Sequence, residues 1–296
     1  MRPTSPPITG LDHLLIGVQH LELARDTWEK LGFTVTPRGR HIGWGTANYC
    51  IMFERDYVEL LGIVDPEKFT NDLDRFLEER EGALGLAFAT TDAARAAAEL
   101  QARGIAAEDP VELKRLLELP GGDVEPAFRL VHLAPEATPG LGTFLCDHLS
   151  RDLVWQPQWT RHANTVLGID GLFVVAQDIP ALLPAYKLLF GEDAVVCYGE
   201  DAAWVQAAGC KISFTTPGSW DSLFDRAPEP PYIAGVDFFA QDLSETAACL
   251  RRAGVGFQSG GDATRWLQVE PQEANGVCLR IVQTGDVIPL GARASG

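Results

Sequence analysis

Gly10-Leu-Asp-His-Leu-Leu-Ile-Gly-Val-Gln-His20 is an apolar, strand-forming run that ends in a polar residue just ahead of a helical pattern. The same device returns along the chain. Gly168-Ile-Asp-Gly-Leu-Phe-Val-Val-Ala-Gln-Asp178 matches it at Gly, Asp, Leu and Gln, a further copy closes on Ala240-Gln-Asp242, and a weaker one is Gly85-Leu-Ala-Phe-Ala-Thr-Thr-Asp92. Three of the four closing residues are Asp, whose carboxylate can accept the free N–H groups at a helix start. The spacing accordingly predicts helices over 21–31, 93–103, 179–190 and 243–253, each ended by a glycine at Gly32, Gly104, Gly191 or Gly254. From closing residue to glycine (His20, Asp92, Asp178, Asp242) the distances are 12, 12, 13 and 12 residues, a regularity that marks one repeated unit.

Alternating or β-branched stretches follow the helices: 33–37, 49–53 and 57–63 in the first copy, 194–198, 203–207 and 211–215 in the third. The unit is therefore βαβββ. The second copy is the least regular, because 110–126 holds a helix-like 111–119 and a Gly121-Gly122-Asp123 turn where strands are due. An acidic amphipathic connector over 66–82 reads as a solvated helix, and 152–165 as the crossover between halves. A chain of 296 residues, 46% hydrophobic, suits two domains. The expected class is α+β, with four βαβββ modules paired into domains over 8–150 and 166–285.

Composition removes several function classes. With 24 basic against 41 acidic residues the formal charge is −17, which repels phosphate backbones and anionic membranes. Neither nucleic acid nor membrane is an expected partner. No apolar run reaches the ~18 residues of a membrane span, and residues 1–7 offer no signal-peptide core, so a cytoplasmic protein is expected. Six cysteines are scattered without a CxxC pair and read as reduced core residues. There is no GxSxG elbow, no GxxxxGK[ST] loop and no HExxH. The glycine-rich 39–45 lacks the strand-to-helix context of a dinucleotide fold.

Four βαβββ units paired into two domains resemble the vicinal oxygen chelate superfamily, the glyoxalase, bleomycin-resistance and extradiol-dioxygenase relatives. Particular strings extend the resemblance to bacterial glyoxalase-like domain proteins: His41-Ile-Gly-Trp-Gly-Thr-Ala-Asn48, Tyr57-Val-Glu-Leu-Leu61, and Phe144-Leu-Cys-Asp-His148 followed by Val154-Trp155, Trp159 and His162-Ala-Asn164. Two positions depart from the family string, Asp147 and Ala163.

The resemblance implies a sheet curled around a divalent ion whose ligands come from the first and last strands of paired units. Seven residues before the four helix caps stand His13, Gly85, Gly171 and Gly235. The last strands offer Glu59, then Asp147 or His148, Ser213 and Arg280. The C-terminal pair is thus expected to be metal-free, and His13, Glu59 and His148 form the expected metal set, with Asp147 in reserve. Two imidazoles and a carboxylate with open positions suit Fe, Mn, Ni or Zn. His41, Asn48, Trp44 and Trp155 are the candidate substrate contacts. His162 and Asn164 read as holding the crossover, His20 as a helix cap, and His132 as a surface residue of an edge strand.

Functionally, the resemblance implies a metal-dependent enzyme, of lyase or dioxygenase type, on a small oxygen-bearing metabolite. The catalytic residues stay open. The alternative from another class is a metal-free small-molecule binding protein of the bleomycin-resistance type. Both halves of the paired architecture lie in one chain, which suits a monomer or a homodimer.

Overall fold

The computed structural model describes residues 6–218, 220, 223–224, 226–260 and 265–283. The four helices that follow the repeated strands are α1 (Leu21–Lys30), α3 (Ala93–Ala102), α5 (Ile179–Phe190) and α6 (Leu243–Arg252). Asp92, Asp178 and Asp242 cap the last three by accepting from backbone N–H groups inside the first turn, whereas His20 holds the same position at α1 without a side-chain cap bond. Two short helices, α2 (Leu73–Glu79) and α4 (Arg151–Val154), lie in the connectors.

The strands are β1 (Gly10–Gly17), β2 (Gly39–His41), β3 (Thr46–Met52), β4 (Tyr57–Ile63), β5 (Gly82–Ala89), β6 (Val111–Leu117), β7 (Ala127–His132) and β8 (Gly142–His148) in the first half. The second half contributes β9 (Val166–Val175), β10 (Val195–Tyr198), β11 (Ala202–Ala207), β12 (Cys210–Thr215), β13 (Tyr232–Ala240), β14 (Gln258–Gly260), β15 (Trp266–Val269) and β16 (Cys278–Gln283). Four βαβββ modules result, paired two and two. In each pair the two first strands lie antiparallel side by side, β1 against β5 and β9 against β13. Each first strand also runs parallel to the last strand of its own module.

The halves differ in closure. The N-terminal order β1-β4-β3-β2-β6-β7-β8-β5 closes into a barrel, whereas the C-terminal order β10-β11-β12-β9-β13-β16-β15-β14 is an eight-stranded sheet. The closing seam is β2 against β6, with His41 opposite Arg115. This corrects the helix-like reading of 111–119. The stretch is a strand because its Leu113, Arg115 and Leu117 alternate toward the barrel interior and its backbone completes the ring. Two further stretches also differ from expectation. Residues 33–37 are irregular, Phe33 being buried for its packing, and the connector over 66–82 is helical only in α2, whose Leu73 is buried.

One large apolar core spans both halves; Phe33 and Phe53 of the first pack on Phe238 of the second. The crossover adds polar ties: His162 links the Thr34 N–H and the Met52 carbonyl, and Asn164 donates to the Leu31 carbonyl. Five cysteines are buried and Cys197 is exposed, all as free thiols. No helix among the described residues is long and apolar enough to cross a membrane.

Candidate functional site

The parallel registers place equivalent positions of the four modules in the same rung. Leu15 stands opposite Glu59, Ala87 opposite Phe144, Phe173 opposite Ser213, and Asp237 opposite Arg280. The last-strand slot of module two is therefore Phe144, not Asp147 or His148. At the first-strand slots, a Cβ on Gly85, Gly171 or Gly235 would run into the carbonyl of Gly142, Lys211 or Cys278, so no side chain fits there. Donors fill both slots in module one only, as His13 and Glu59.

A β-bulge decides how His13 is held. The β1–β5 register slips between Leu11 and His13, and Asp12, at the slip, turns its carboxylate beside its neighbour instead of across the sheet. Asp12 Oδ1 accepts from His13 Nδ1 at 2.7 Å and from His148 Nε2 at 3.1 Å. The His13 ring stacks on Tyr57, centroids 4.4 Å apart, and its Nε2 points to Glu59 Oε2 at 3.3 Å. Asn48 Nδ2 donates to the other oxygen of Glu59, Oε1, and His41 Nε2 stands 4.0 Å from that same oxygen. Gly39 makes room for this: a Cβ there would collide with Asn48 Oδ1. His41 is held by a 2.8 Å contact between its Nδ1 and Thr46 Oγ1, and its ring lies 5.6 Å from that of Trp44.

His13, Tyr57 and Glu59 line a cavity of about 610 Å³ inside the barrel, walled also by Phe128, Leu130 and Phe144. His41, Trp44 and Asn48 line it as the sequence suggested, and so does His132, which had read as a surface residue. Trp155 does not. Its Nε1 donates to the Phe53 carbonyl at 2.8 Å and its ring packs against Tyr57 and His148, behind the cavity wall. His148 itself lies four residues beyond Phe144 on β8, with Nε2 spent on Asp12 and Nδ1 without a partner. Asp147 points outward and accepts from the Ala93 N–H at the start of α3. The structure thus brings His13 and Glu59 together and leaves the expected third ligand on Asp12.

Burial alone would raise both carboxyls, and their surroundings outweigh it. The His148 charge and the two imidazole hydrogen bonds hold Asp12 well below its ordinary range. Glu59 is lowered by the charges of His13, His41 and Arg115 and by the Asn48 bond. Burial pushes the His41 imidazole down, and Arg115 and His13 add to this against the pull of Glu59. The Cys146 thiol, buried close to Asp12 and Glu59, is pushed well up. Among the described residues, Asp12, His13 and Cys146 form one group whose ligand atoms all lie within 4.8 Å of one another.

The donor set fits a divalent ion. His13 presents a free Nε2 next to a carboxylate while a second carboxylate holds its other nitrogen, the arrangement by which proteins fix the tautomer of a metal-bound imidazole. Asp12 and Arg115 escaped the sequence reading. Asp12 was visible only as a repeated letter, and the bulge that re-aims it has no sequence mark. Arg115 lay in the stretch read as helix, although the alternation Leu113, Arg115, Leu117 was there to see.

Paired βαβββ modules around such a site define a vicinal oxygen chelate protein. The profile of the glyoxalase-like domain family matches residues 11–190, and the chain belongs to that family. No curated protein sequence matches it. Among solved structures, a hypothetical protein from Staphylococcus aureus is similar with a TM-score of 0.66 and 12% identity, over 92% of this chain and 98% of that one. A mutant 4-hydroxymandelate synthase from Streptomyces coelicolor aligns at 0.60 and 14%, over 97% and 96%. A xylose isomerase-like TIM barrel/4-hydroxyphenylpyruvate dioxygenase fusion protein aligns at 0.60 and 13%, over 99% of this chain and 52% of the fusion. At these identities the likeness is one of fold.

Proposed function

We propose that the N-terminal barrel is the active site of a divalent-metal enzyme that takes a small oxygen-bearing metabolite into its cavity, with His13 Nε2 and Glu59 as the metal-holding pair. The observation that carries this reading is the pair itself, 3.3 Å apart at the wall of a 610 Å³ cavity, with Asp12 fixing the other nitrogen of His13. When bound, the ion supplies a Lewis acid that chelates neighbouring substrate oxygens. The chain's own residues do the rest. Asp12 keeps the proton of His13 on Nδ1, leaving Nε2 as a donor of electrons. Asn48 orients Glu59. His41, kept neutral by burial, offers Nε2 beside Glu59 as a group able to take or give a proton at the substrate. Trp44 and Phe144 exclude water along the wall. His148 is assigned to Asp12 as a positioning residue, not to the ion. The reaction class is lyase or oxygenase, in keeping with the names of two structural neighbours, a synthase and a dioxygenase fusion.

A second reading rests on two observations: a single module supplies the slot donors, and the same cavity holds the buried cation of Arg115. A metal-free protein that binds a small molecule would look the same. Metal analysis of protein purified without chelator separates the two. The enzyme reading expects bound Fe, Mn, Ni or Zn, lost in His13→Ala and Glu59→Ala and kept in His148→Ala. Metal-free wild-type protein that takes up none of these ions on dialysis supports the binding protein.

A further inference from the structure

Arg115 stands out among the charged residues of the barrel. It is 4% exposed, on the β6 side of the closing seam, and is the one Lys or Arg that lines the cavity among the described residues. Its Nη1 reaches the Cys50 thiol at 3.3 Å, a weak acceptor, and its Nε has no partner. No described carboxylate comes within ion-pair distance of it; Glu59 acts on it only through space. The ring of Phe128 covers it at 5.4 Å from the centroid.

A buried guanidinium is costly unless it is paired, and side chains of this kind are almost never buried alone. Arg280 in the C-terminal half shows the paired form, with two bonds of 2.7 and 2.9 Å to Asp237. Arg115 holds the same kind of charge without the acid, facing a cavity wide enough to admit one. We propose that Arg115 is the anchor for a substrate carboxylate, so that the cavity takes a small carboxylic acid. The planar fork of the guanidinium matches a carboxylate. A phosphate dianion would leave charge unbalanced on a lone cation with Glu59 in the same cavity. The remaining wall, with Trp44, Leu113, Phe128, Leu130 and Phe144, suits an apolar body on that acid. This deepens the proposed function by naming the substrate class, and it rests on that reading only in taking the barrel cavity as the binding site.

The test uses the full chain in EDTA, so that it does not depend on any metal. Benzoate, phenylacetate and hexanoate are each compared with the corresponding amide, and with inorganic phosphate, by calorimetric titration and melting temperature. At least one acid is expected to bind and raise the melting temperature, with its amide and phosphate weaker by about tenfold or more. Arg115→Gln should lose that preference, and Arg115→Lys should keep part of it. Equal binding of acid and amide overturns the proposal, as does failure of all three acids, stronger binding of phosphate, or an undiminished acid preference in Arg115→Gln. Should that variant not fold, the acid and amide comparison on wild type and Arg115→Lys decides. Failure of the metal reading looks different: the acid preference persists in EDTA while His13→Ala leaves metal content unchanged.

Discussion

Asp12→Asn is the perturbation that probes the site with the least change of shape. The native carboxylate receives two hydrogen bonds, from His13 Nδ1 and His148 Nε2, in a place 1% exposed. Both imidazoles donate to Oδ1, so an asparagine that keeps its amide oxygen there still accepts from both, but as a neutral group. Two charge-assisted bonds become neutral ones, at a cost on the order of 3 kcal/mol. At roughly 2–4 °C per kcal/mol for a domain of this size, the melting temperature should fall by roughly 6–12 °C at neutral pH. Because the folded carboxyl lies below its unfolded value of 3.8, its contribution is present above that value and lost as pH falls through the folded one. Differential scanning calorimetry should therefore find the gap between wild type and variant full near neutrality and shrinking below about pH 4. Metal affinity should fall roughly 10–100-fold, the usual effect of losing the group behind a ligating imidazole. A variant that melts within about 1 °C of wild type and binds metal equally well would refute the role given to Asp12.

Three more outcomes follow from particular contacts. Gly39→Ala drives a Cβ into Asn48 Oδ1, so Asn48 leaves Glu59; a loss of ~1–3 kcal/mol in urea unfolding with weakened metal binding is expected, whereas metal binding unchanged by Gly39→Ala would contradict the Asn48 role. Arg280→Ala strands Asp237, buried and bidentately paired, and should cost ~3–5 kcal/mol while leaving metal content as in wild type. Burial raises Asp56, whose Oδ1 accepts from the Ile169 N–H at 3.1 Å, to about 7. Since its folded value exceeds the unfolded one, stability is lost as pH rises from about 4 to about 7, so Asp56→Asn should gain on wild type by on the order of 2–4 kcal/mol between those limits. A pH-independent difference in chemical denaturation would count against it.

The fold was legible because it is written four times. A strand, a polar closing residue, a helix and a glycine at near-constant spacing need no tertiary information, and the three Asp caps bond as the residue type demands. The strand after α3 was misread because Val-Glu-Leu-Lys-Arg-Leu-Leu satisfies helical spacing as well as alternation, and only closure against β2 settles it. At the site, His13 and Glu59 came from counting along the repeat, which works because parallel pairing keeps the first and last strands of a module in register. The same count run along β8 gives Phe144, and taking His148 for its chemistry instead of its place led away from that position. The Asp12 bulge and the lone charge of Arg115 are products of packing between modules, which no single stretch of sequence records.

Whether one ion sits between His13 and Glu59 is decided by anomalous diffraction from crystals of protein purified without chelator and soaked in Mn, Fe, Ni or Zn. A peak is expected in the barrel cavity about 2.0–2.3 Å from both His13 Nε2 and a Glu59 oxygen, with His148 still bonded to Asp12. A peak ligated by His148, or a barrel without a peak at saturating metal, would contradict it.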